Sequence, residues 1–132
     1  MAFLQHTFSN GLRIIGEYIP HYRSVSVGLW VESGSQYETP RENGISHFIE
    51  HMLFKGTEKR SARQIAEVMD AVGGQLNAFT AKECTCFYAK VVDEHLPLAM
   101  DVISDLVLHS KLDEEDIARE KGVVIEEINM AE

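Results

Sequence analysis

The spacing of apolar residues changes along this chain, and that change limits the folds that it can adopt. In the segment 24–31, valine or leucine occupies alternate positions, which is typical of a strand with one buried face. In the segment 61–72, apolar residues recur three and four positions apart, which is typical of an amphipathic helix. Because both periods occur in one chain, we expect a fold that combines helices with a sheet.

Five strands are predicted from such runs and from the turn residues between them. The segments 3–8 and 12–18 flank Ser9-Asn10-Gly11, and Asn-Gly between two strand-like runs predicts a tight hairpin. The other three strands are predicted at 24–31, 75–80 and 84–92.

The first helix is predicted from its start and stop signals. Thr39-Pro40-Arg41-Glu42 resembles a capping box with proline at the first helical position, and Asn43 is an alternative cap. We expect this helix to run to about Phe54 and to end at Gly56, because glycine readily adopts the left-handed conformation that closes a helix. Its apolar residues, which we expect to pack on the sheet, are Ile45, Phe48, Ile49, Met52 and Leu53.

Three further helices are predicted downstream. One begins at Ser61 with a second capping-box pattern and ends at Gly73-Gly74. Asp93 is expected to cap a helix that runs to about His109, and Asp113 is expected to cap the last helix. The resulting order, β-β-β-α-α-β-β-α-α, predicts an α+β domain with a mainly antiparallel sheet and helices packed on one side.

Residues 1–132 are interpreted as a single domain. No linker, internal repeat or low-complexity segment divides them, and 132 residues with 45% hydrophobic content suit one core. The helix predicted after Asp113 is still running at Glu132, which indicates that the domain is truncated.

Composition argues against several classes of function. Twelve basic residues against 21 acidic ones give a formal net charge of −9, and the longest basic run is Lys59-Arg60, so we expect no nucleic-acid partner. No apolar run reaches membrane-spanning length, and the N-terminus lacks the pattern of a signal peptide. Two cysteines are too few for a disulfide framework. We therefore expect a cytoplasmic domain that does not enter a membrane.

The segment His47-Phe48-Ile49-Glu50-His51 carries the clearest chemical signal. On a helix, residues four positions apart lie one turn apart on one face, about 6 Å along the axis. His47 and His51 can therefore bind one zinc ion, and Glu50 lies on the flank of that face, within reach of a water molecule at the metal. Because chance produces this pattern in roughly 3% of such chains, the motif alone is a hypothesis.

A catalytic zinc site has three protein ligands and an open fourth position. The last predicted helix offers Glu120, Glu126 and Glu127 as the third ligand. Glu120 and Glu127 lie two turns apart on one face, whereas Glu126 points about 100° away from Glu127. Spacing alone does not choose among the three, and a solvated acidic patch is the alternative interpretation of Glu126-Glu127.

Three ordered segments resemble the inverted-motif zinc peptidases, the family of pitrilysin, insulin-degrading enzyme and mitochondrial processing peptidase. Residues 43–57 resemble the family's zinc motif with its flanks, residues 73–80 its active-site edge strand, and residues 120–128 its downstream glutamate segment. The likeness covers nearly the whole chain and is to the bacterial members related to the processing peptidase. It implies the N-terminal part of a pitrilysin-like half-domain.

The resemblance implies a role for each residue of the motif. His47, His51 and Glu127 would be the ligands of one zinc ion. Glu50 would be the general base that takes a proton from water, and Glu120 a supporting carboxylate of the catalytic site.

The resemblance also implies a substrate and partners. Asn77 and Ala78 would lie on an edge strand to which a substrate peptide adds by backbone pairing. The expected activity is that of a zinc metalloendopeptidase that hydrolyses oligopeptides or unstructured polypeptide segments. A second half-domain or a homo-oligomer partner is expected to complete the enclosure of the substrate.

Two other functions remain as alternatives. Some members of the family are non-catalytic structural or partner subunits, and a zinc ion can also be purely structural. The combination of His47, Glu50, His51 and Glu127 favours catalysis, because a scaffold needs none of these residues and closed structural sites are usually rich in cysteine.

The remaining cysteines and histidines are assigned structural roles. Cys84-Thr85-Cys86 is interpreted as two buried thiols, because zinc pairs usually need the spacing C-x-x-C or wider. The other histidines are interpreted as surface or cap residues; they are His6, His21, His95 and His109.

Overall fold

A computed structural model of the chain describes residues 2–131. Its strands are β1 (Ala2–Thr7), β2 (Arg13–Tyr18), β3 (Ser24–Val31), β4 (Gln75–Thr80) and β5 (Thr85–Val92). Its α-helices are α1 (Ile45–Leu53), α2 (Ala62–Ala71), α3 (Leu96–Leu108) and α4 (Glu114–Ala131). The predicted order of elements and the α+β class are confirmed.

Two antiparallel sheets form from these strands. Strands β1 and β2 make a hairpin whose turn is closed by a hydrogen bond from Phe8 N to Leu12 O at 2.8 Å. Gly11 takes a φ of 95° in that turn, which explains why Asn-Gly predicted it correctly. The second sheet has the order β3-β5-β4, with antiparallel pairing throughout. Strand β5 is central, so β3 and β4 are the edges of this sheet.

Helices cover one face of the three-stranded sheet. On β5, Phe87, Ala89 and Val91 are buried towards the helices, whereas Tyr88 is exposed. Alternation on a central strand therefore separates the core face from the open face. The buried residues that form this core are Leu53, Ile65, Met69, Phe87, Ala89, Val91, Ala99, Val102, Ile103 and Leu106.

The start of α1 differs from the prediction. Neither Thr39 nor Asn43 caps the helix; residues 40–42 form a separate short 3-10 turn, and Gly44 is the N-cap with a φ of 90°. The carboxylate of Glu38 accepts hydrogen bonds from Gly44 N at 2.8 Å and from Ser46 N at 2.7 Å. Glu38 thus satisfies the free N–H groups that the predicted caps would have served.

The apolar face of α1 is only partly buried. Met52 and Leu53 are buried as expected, but Ile45 and Ile49 remain more than 40% exposed. The helix ends before Gly56, which takes a φ of 131°, so the predicted stop is confirmed.

The capping box of α2 is confirmed, because Ser61 Oγ accepts from Gln64 N at 3.1 Å and Ser61 N donates to Gln64 Oε1 at 2.8 Å. Asp93, in contrast, does not cap α3. It lies in a 3-10 turn, α3 begins at Leu96, and the Asp93 carboxylate accepts from Arg23 Nε at 3.2 Å.

The last helix begins directly after Asp113, whose carbonyl accepts from Ile117 N at 2.9 Å. Glu132, where the helix was expected to continue, lies outside the described residues. Within residues 2–131, none of the helices has the length and apolar content needed to cross a membrane.

Candidate metal centre

Helix α1 presents two imidazoles on the side that faces α4. His47 Nε2 and His51 Nε2 lie 3.1 Å apart, and their ring centroids are 4.7 Å apart. Four-residue helical spacing places both rings one turn apart on the same face. The pair is brought together as the sequence predicted.

Glu127 of α4 completes a triangle of potential ligand atoms. Its Oε2 lies 3.3 Å from His47 Nε2 and 3.2 Å from His51 Nε2. Two ligand atoms of a tetrahedral zinc site with bonds of 2.0–2.2 Å stand about 3.3 Å apart. Residues His47, His51 and Glu127 therefore fit one zinc ion without rearrangement.

The triangle is open on one side. The side chains of His47 and Glu127 are 37% and 46% exposed, respectively, whereas that of His51 is 20% exposed. A site that leaves one position for water needs such an opening.

Glu120 occupies a different place from the three clustered residues. Its buried carboxylate accepts from His51 Nδ1 through Oε2 at 3.1 Å, and Lys55 Nζ lies 2.8 Å from Oε1. Because Nδ1 of His51 is bonded here, Nε2 is the nitrogen directed at His47 and Glu127. Burial raises the pKa of Glu120, but the hydrogen bonds and charges of Lys55 and His51 outweigh it and hold the pKa below its ordinary value.

Glu50 precedes His51 on α1, and its carboxylate is held by the sheet. Thr80, the last residue of β4, donates a hydrogen bond from Oγ1 to Glu50 Oε2. The Glu50 side chain is half-buried, and its carboxylate is not one of the three clustered groups found among residues 2–131. The structure thus separates Glu50 from the candidate ligands.

Glu126 is not a member of the cluster. It is exposed, and within the described residues it is not part of the metal-compatible group. Val124 is buried, so the face of α4 that meets α1 carries Glu120, Val124 and Glu127. The rotation of α4 about its axis therefore distinguishes among the three glutamates, which spacing alone could not do.

Asn77 and Ala78 lie on the edge strand β4, close to α1. Ala78 N donates to Asn77 Oδ1 at 2.8 Å. Asn77 is exposed and Ala78 is half-buried. On strand β4, the backbone N–H of Ala78 is therefore bonded to the side chain of Asn77.

Sequence reasoning assigned no role to three residues that the structure brings into contact with α1 or its partners: Glu38 at the start of α1, Lys55 at Glu120, and Thr80 at Glu50. Lys55 follows His51 by four positions in the sequence, but it lies in the turn after α1, so helical periodicity does not place it. The contacts of Thr80 and Glu38 join distant segments or span a loop, so local patterns do not show them.

The two cysteines stay outside this cluster and are free thiols. Cys86 is buried, and burial followed by the neighbouring Cys84 raises its pKa to about 11. Cys84 is half-buried in the turn before β5. The prediction of two buried thiols is therefore confirmed for Cys86 but not for Cys84. Among the other histidines, His6 stacks edge-on against Phe8.

Comparison with known proteins gives a consistent family match. The family model described as insulinase (Peptidase family M16) matches residues 13–132. An uncharacterized zinc protease of Bacillus subtilis is 56% identical over 97% of this chain and 31% of its own length. A probable mitochondrial-processing peptidase subunit beta of Arabidopsis thaliana is 41% identical over 96% of this chain and 24% of its own length.

A solved structure also matches. A protease from Helicobacter pylori superimposes with a TM-score of 0.90 at 25% identity, covering 96% of this chain and 30% of that protein. The chain thus spans less than a third of the length of these curated relatives and of this solved structure.

Proposed function

Because the chain belongs to the insulinase family of peptidases, Peptidase family M16, we propose that it forms the zinc centre of a metalloendopeptidase. The observation that carries this proposal is the triangle of His47 Nε2, His51 Nε2 and Glu127 Oε2, with edges of 3.1–3.3 Å. Glu50 precedes His51 on α1, is not one of the three clustered groups, and would be available for acid–base chemistry.

His47, His51 and Glu127 would hold one zinc ion, and the names of the relatives as zinc proteases support that metal. When bound, zinc polarises a carbonyl and lowers the pKa of water towards neutrality. Glu120 would keep His51 in the tautomer whose Nε2 lone pair is free.

Glu50 would act as the general base. It would accept a proton from the attacking water at one carboxylate oxygen and pass it to the nitrogen of the leaving amine. Thr80 holds Oε2, so Oε1 is the oxygen that remains for the water. The role of Thr80 would be to keep that oxygen directed at the centre.

The substrate would be an extended peptide that adds to the free edge of β4. Backbone pairing recognises a peptide with little regard to its side chains, which suits oligopeptides and unstructured segments. The Ala78 N–H, now bonded to Asn77 Oδ1 at 2.8 Å, would be released to the peptide when the Asn77 side chain turns away.

The complete protein would provide further groups. The relatives are more than three times as long as the part that this chain matches. We propose that a second half-domain or a homo-oligomer partner closes over the peptide and completes the active site.

Two features favour catalysis over a structural or partner subunit. A scaffold has no use for a carboxylate that Thr80 holds beside a metal triangle without ligating it. The openness of the triangle and the histidine–carboxylate ligands also differ from closed structural sites, which usually contain cysteine.

Elemental analysis after exhaustive dialysis tests the metal centre first. We expect one zinc ion per chain, lost in a His51→Ala variant. The full-length protein should then cleave an unstructured reporter peptide, and Glu50→Gln should abolish cleavage while zinc remains. A zinc-loaded full-length protein that cleaves no peptide in a broad library would favour the partner-subunit alternative.

A further inference from the structure

We propose that Lys55 is a positioning residue for the metal centre, which acts on His51 through the carboxylate of Glu120. This inference rests on the proposed function, because it assumes that His51 is a metal ligand. Lys55 would touch neither the metal nor the substrate.

Lys55 and His51 hold the two oxygens of one carboxylate. Lys55 Nζ lies 2.8 Å from Glu120 Oε1, and His51 Nδ1 lies 3.1 Å from Glu120 Oε2. His51 lies in the last turn of α1 and Lys55 in the turn that follows the helix, and the two side chains reach the same carboxylate. With both oxygens engaged, the carboxylate of Glu120 has one orientation, and so does the ring that donates to it.

The burial of Glu120 explains why the positive charge of Lys55 is needed beside it. The side chain of Glu120 is 6% exposed, and a buried carboxylate that lacks a partner is strongly unfavourable. As a metal ligand, His51 would be a neutral donor that supplies a hydrogen bond but no compensating charge. Lys55 supplies the charge and leaves Oε2 to the imidazole.

The backbone that carries Lys55 is fixed at the same place. Gly56 O accepts from Lys111 N at 3.0 Å, and the buried Thr57 donates from Oγ1 to Asp105 Oδ2 at 2.6 Å. The backbone next to Lys55 is therefore already ordered, so the contact with Glu120 costs side-chain entropy but little backbone entropy.

The direction of the effect separates positioning from simple electrostatics. A positive charge near a dication repels it, so on Coulomb's law alone the removal of Lys55 would tighten zinc binding. If Lys55 instead orients His51 through Glu120, its removal weakens zinc binding. Supporting contacts of this kind are typically worth 10- to 100-fold in metal affinity.

The test is the affinity of the purified chain for Zn²⁺ alone, measured by competition with a chromophoric chelator. We expect Lys55→Met to weaken binding about tenfold and Lys55→Arg to bind within a few-fold of the original chain. Lys59→Met is the matched control, because Lys59 pairs with the distant Asp101 at 3.0 Å; its affinity should not change. An unchanged or tighter affinity in Lys55→Met overturns the proposal.

A double-mutant cycle tests whether Lys55 acts through Glu120. In a Glu120→Gln background, Lys55→Met should cause little further loss of zinc affinity, and an equal second loss contradicts the proposed route. Circular dichroism of the metal-free variants should show the original helix content; loss of helix in Lys55→Met would assign Lys55 a structural role instead. If the original chain binds no zinc, both the proposed function and this inference fail. If it binds zinc and Lys55→Met binds zinc equally well, only this inference fails.

Discussion

Thr80 donates a hydrogen bond from Oγ1 to Oε2 of Glu50 and so joins the end of strand β4 to helix α1. The strand proposed to receive the peptide and the helix proposed to bind the metal are thereby connected at Glu50, the proposed general base. One hydroxyl group controls which oxygen of Glu50 is free, and that control leads to the first prediction.

Replacement of Thr80 by valine keeps the shape of the side chain and removes the donor. We expect the kcat of the full-length protein for a reporter peptide to fall at least about tenfold, because a hydrogen bond to a charged group is worth about 1.5–3 kcal/mol. KM and zinc content should change little, and Thr80→Ser should restore most of the activity. Thr85→Val is the matched control, because Thr85, on β5, donates to Ser33 O at 2.6 Å and not to Glu50. Full activity in Thr80→Val would show that Thr80 does not have this role.

Replacement of Glu50 by glutamine separates metal binding from catalysis. The amide is nearly isosteric with the carboxylate but accepts no proton, so peptide cleavage by the Glu50→Gln variant should fall by at least about 10²-fold. Zinc content should remain at one ion per chain, because Glu50 is outside the triangle of ligand atoms. Residual cleavage close to the original rate would exclude Glu50 as the general base.

The two adjacent glutamates of α4 provide an internal comparison for the third ligand. Glu127→Gln removes an anionic oxygen that lies 3.2 Å from His51 Nε2, so zinc affinity should fall more than about tenfold. Glu126→Gln changes an exposed side chain of the same type and should leave the affinity unchanged. The reverse pattern, measured by chelator competition, would move the ligand role to Glu126.

Local patterns were sufficient where a contact lies within one element or one turn. The helical period placed His47 and His51 on one face, and Asn10-Gly11 predicted the first hairpin. Strands β3 and β4 also have the predicted bounds, 24–31 and 75–80. In each case the information lies within a few residues, because helix and strand periods are local properties of the backbone.

Contacts between distant elements could not be predicted in this way. Glu120 and Glu127 share one face of α4, so spacing does not distinguish them. Only the packing of α4 on α1 places Glu120 at Nδ1 of His51 and Glu127 at Nε2 of the same ring. The cap of α1 failed for a related reason. Thr39 matched the local capping rule, but Glu38 reaches Gly44 and Ser46 across a short turn, and that path depends on the fold of the whole loop.

Substitution of both cysteines should not affect the metal. The thiolate is the form of cysteine that binds zinc, and burial raises the pKa of Cys86 to about 11, so this thiol stays protonated at neutral pH. We expect the Cys84→Ser/Cys86→Ser chain to bind one zinc ion with the original affinity. It should also be less stable, because Cys86 is 1% exposed and serine places an extra polar group in that position. A loss of zinc without loss of folding would revive a thiol ligand.

The carboxylate of Glu38 should stabilise the metal-free chain in a pH-dependent manner. Its two backbone donors lie at the N-terminus of α1, where an anionic cap is favourable. At pH 7, Glu38→Gln should lower the free energy of unfolding by about 1 kcal/mol. Glu42→Gln is the control, because Glu42 bonds only to the exposed hydroxyl of Thr39 among the described residues.

The direction of the pH dependence follows from the pKa of Glu38. Burial raises this pKa, but the N–H groups of Ser46 and Gly44 lower it by more, so the folded-state pKa lies below the ordinary value of 4.5. The stabilisation is therefore fully present above that ordinary value and is lost as the pH falls through the folded-state pKa. Urea unfolding in the presence of a chelator, compared between the original chain and Glu38→Gln, should give a constant difference from about pH 8 to pH 6. That difference should then shrink as the pH falls below 4.5; a difference that grows on acidification would show that Glu38 is not stabilised as a carboxylate at the start of α1.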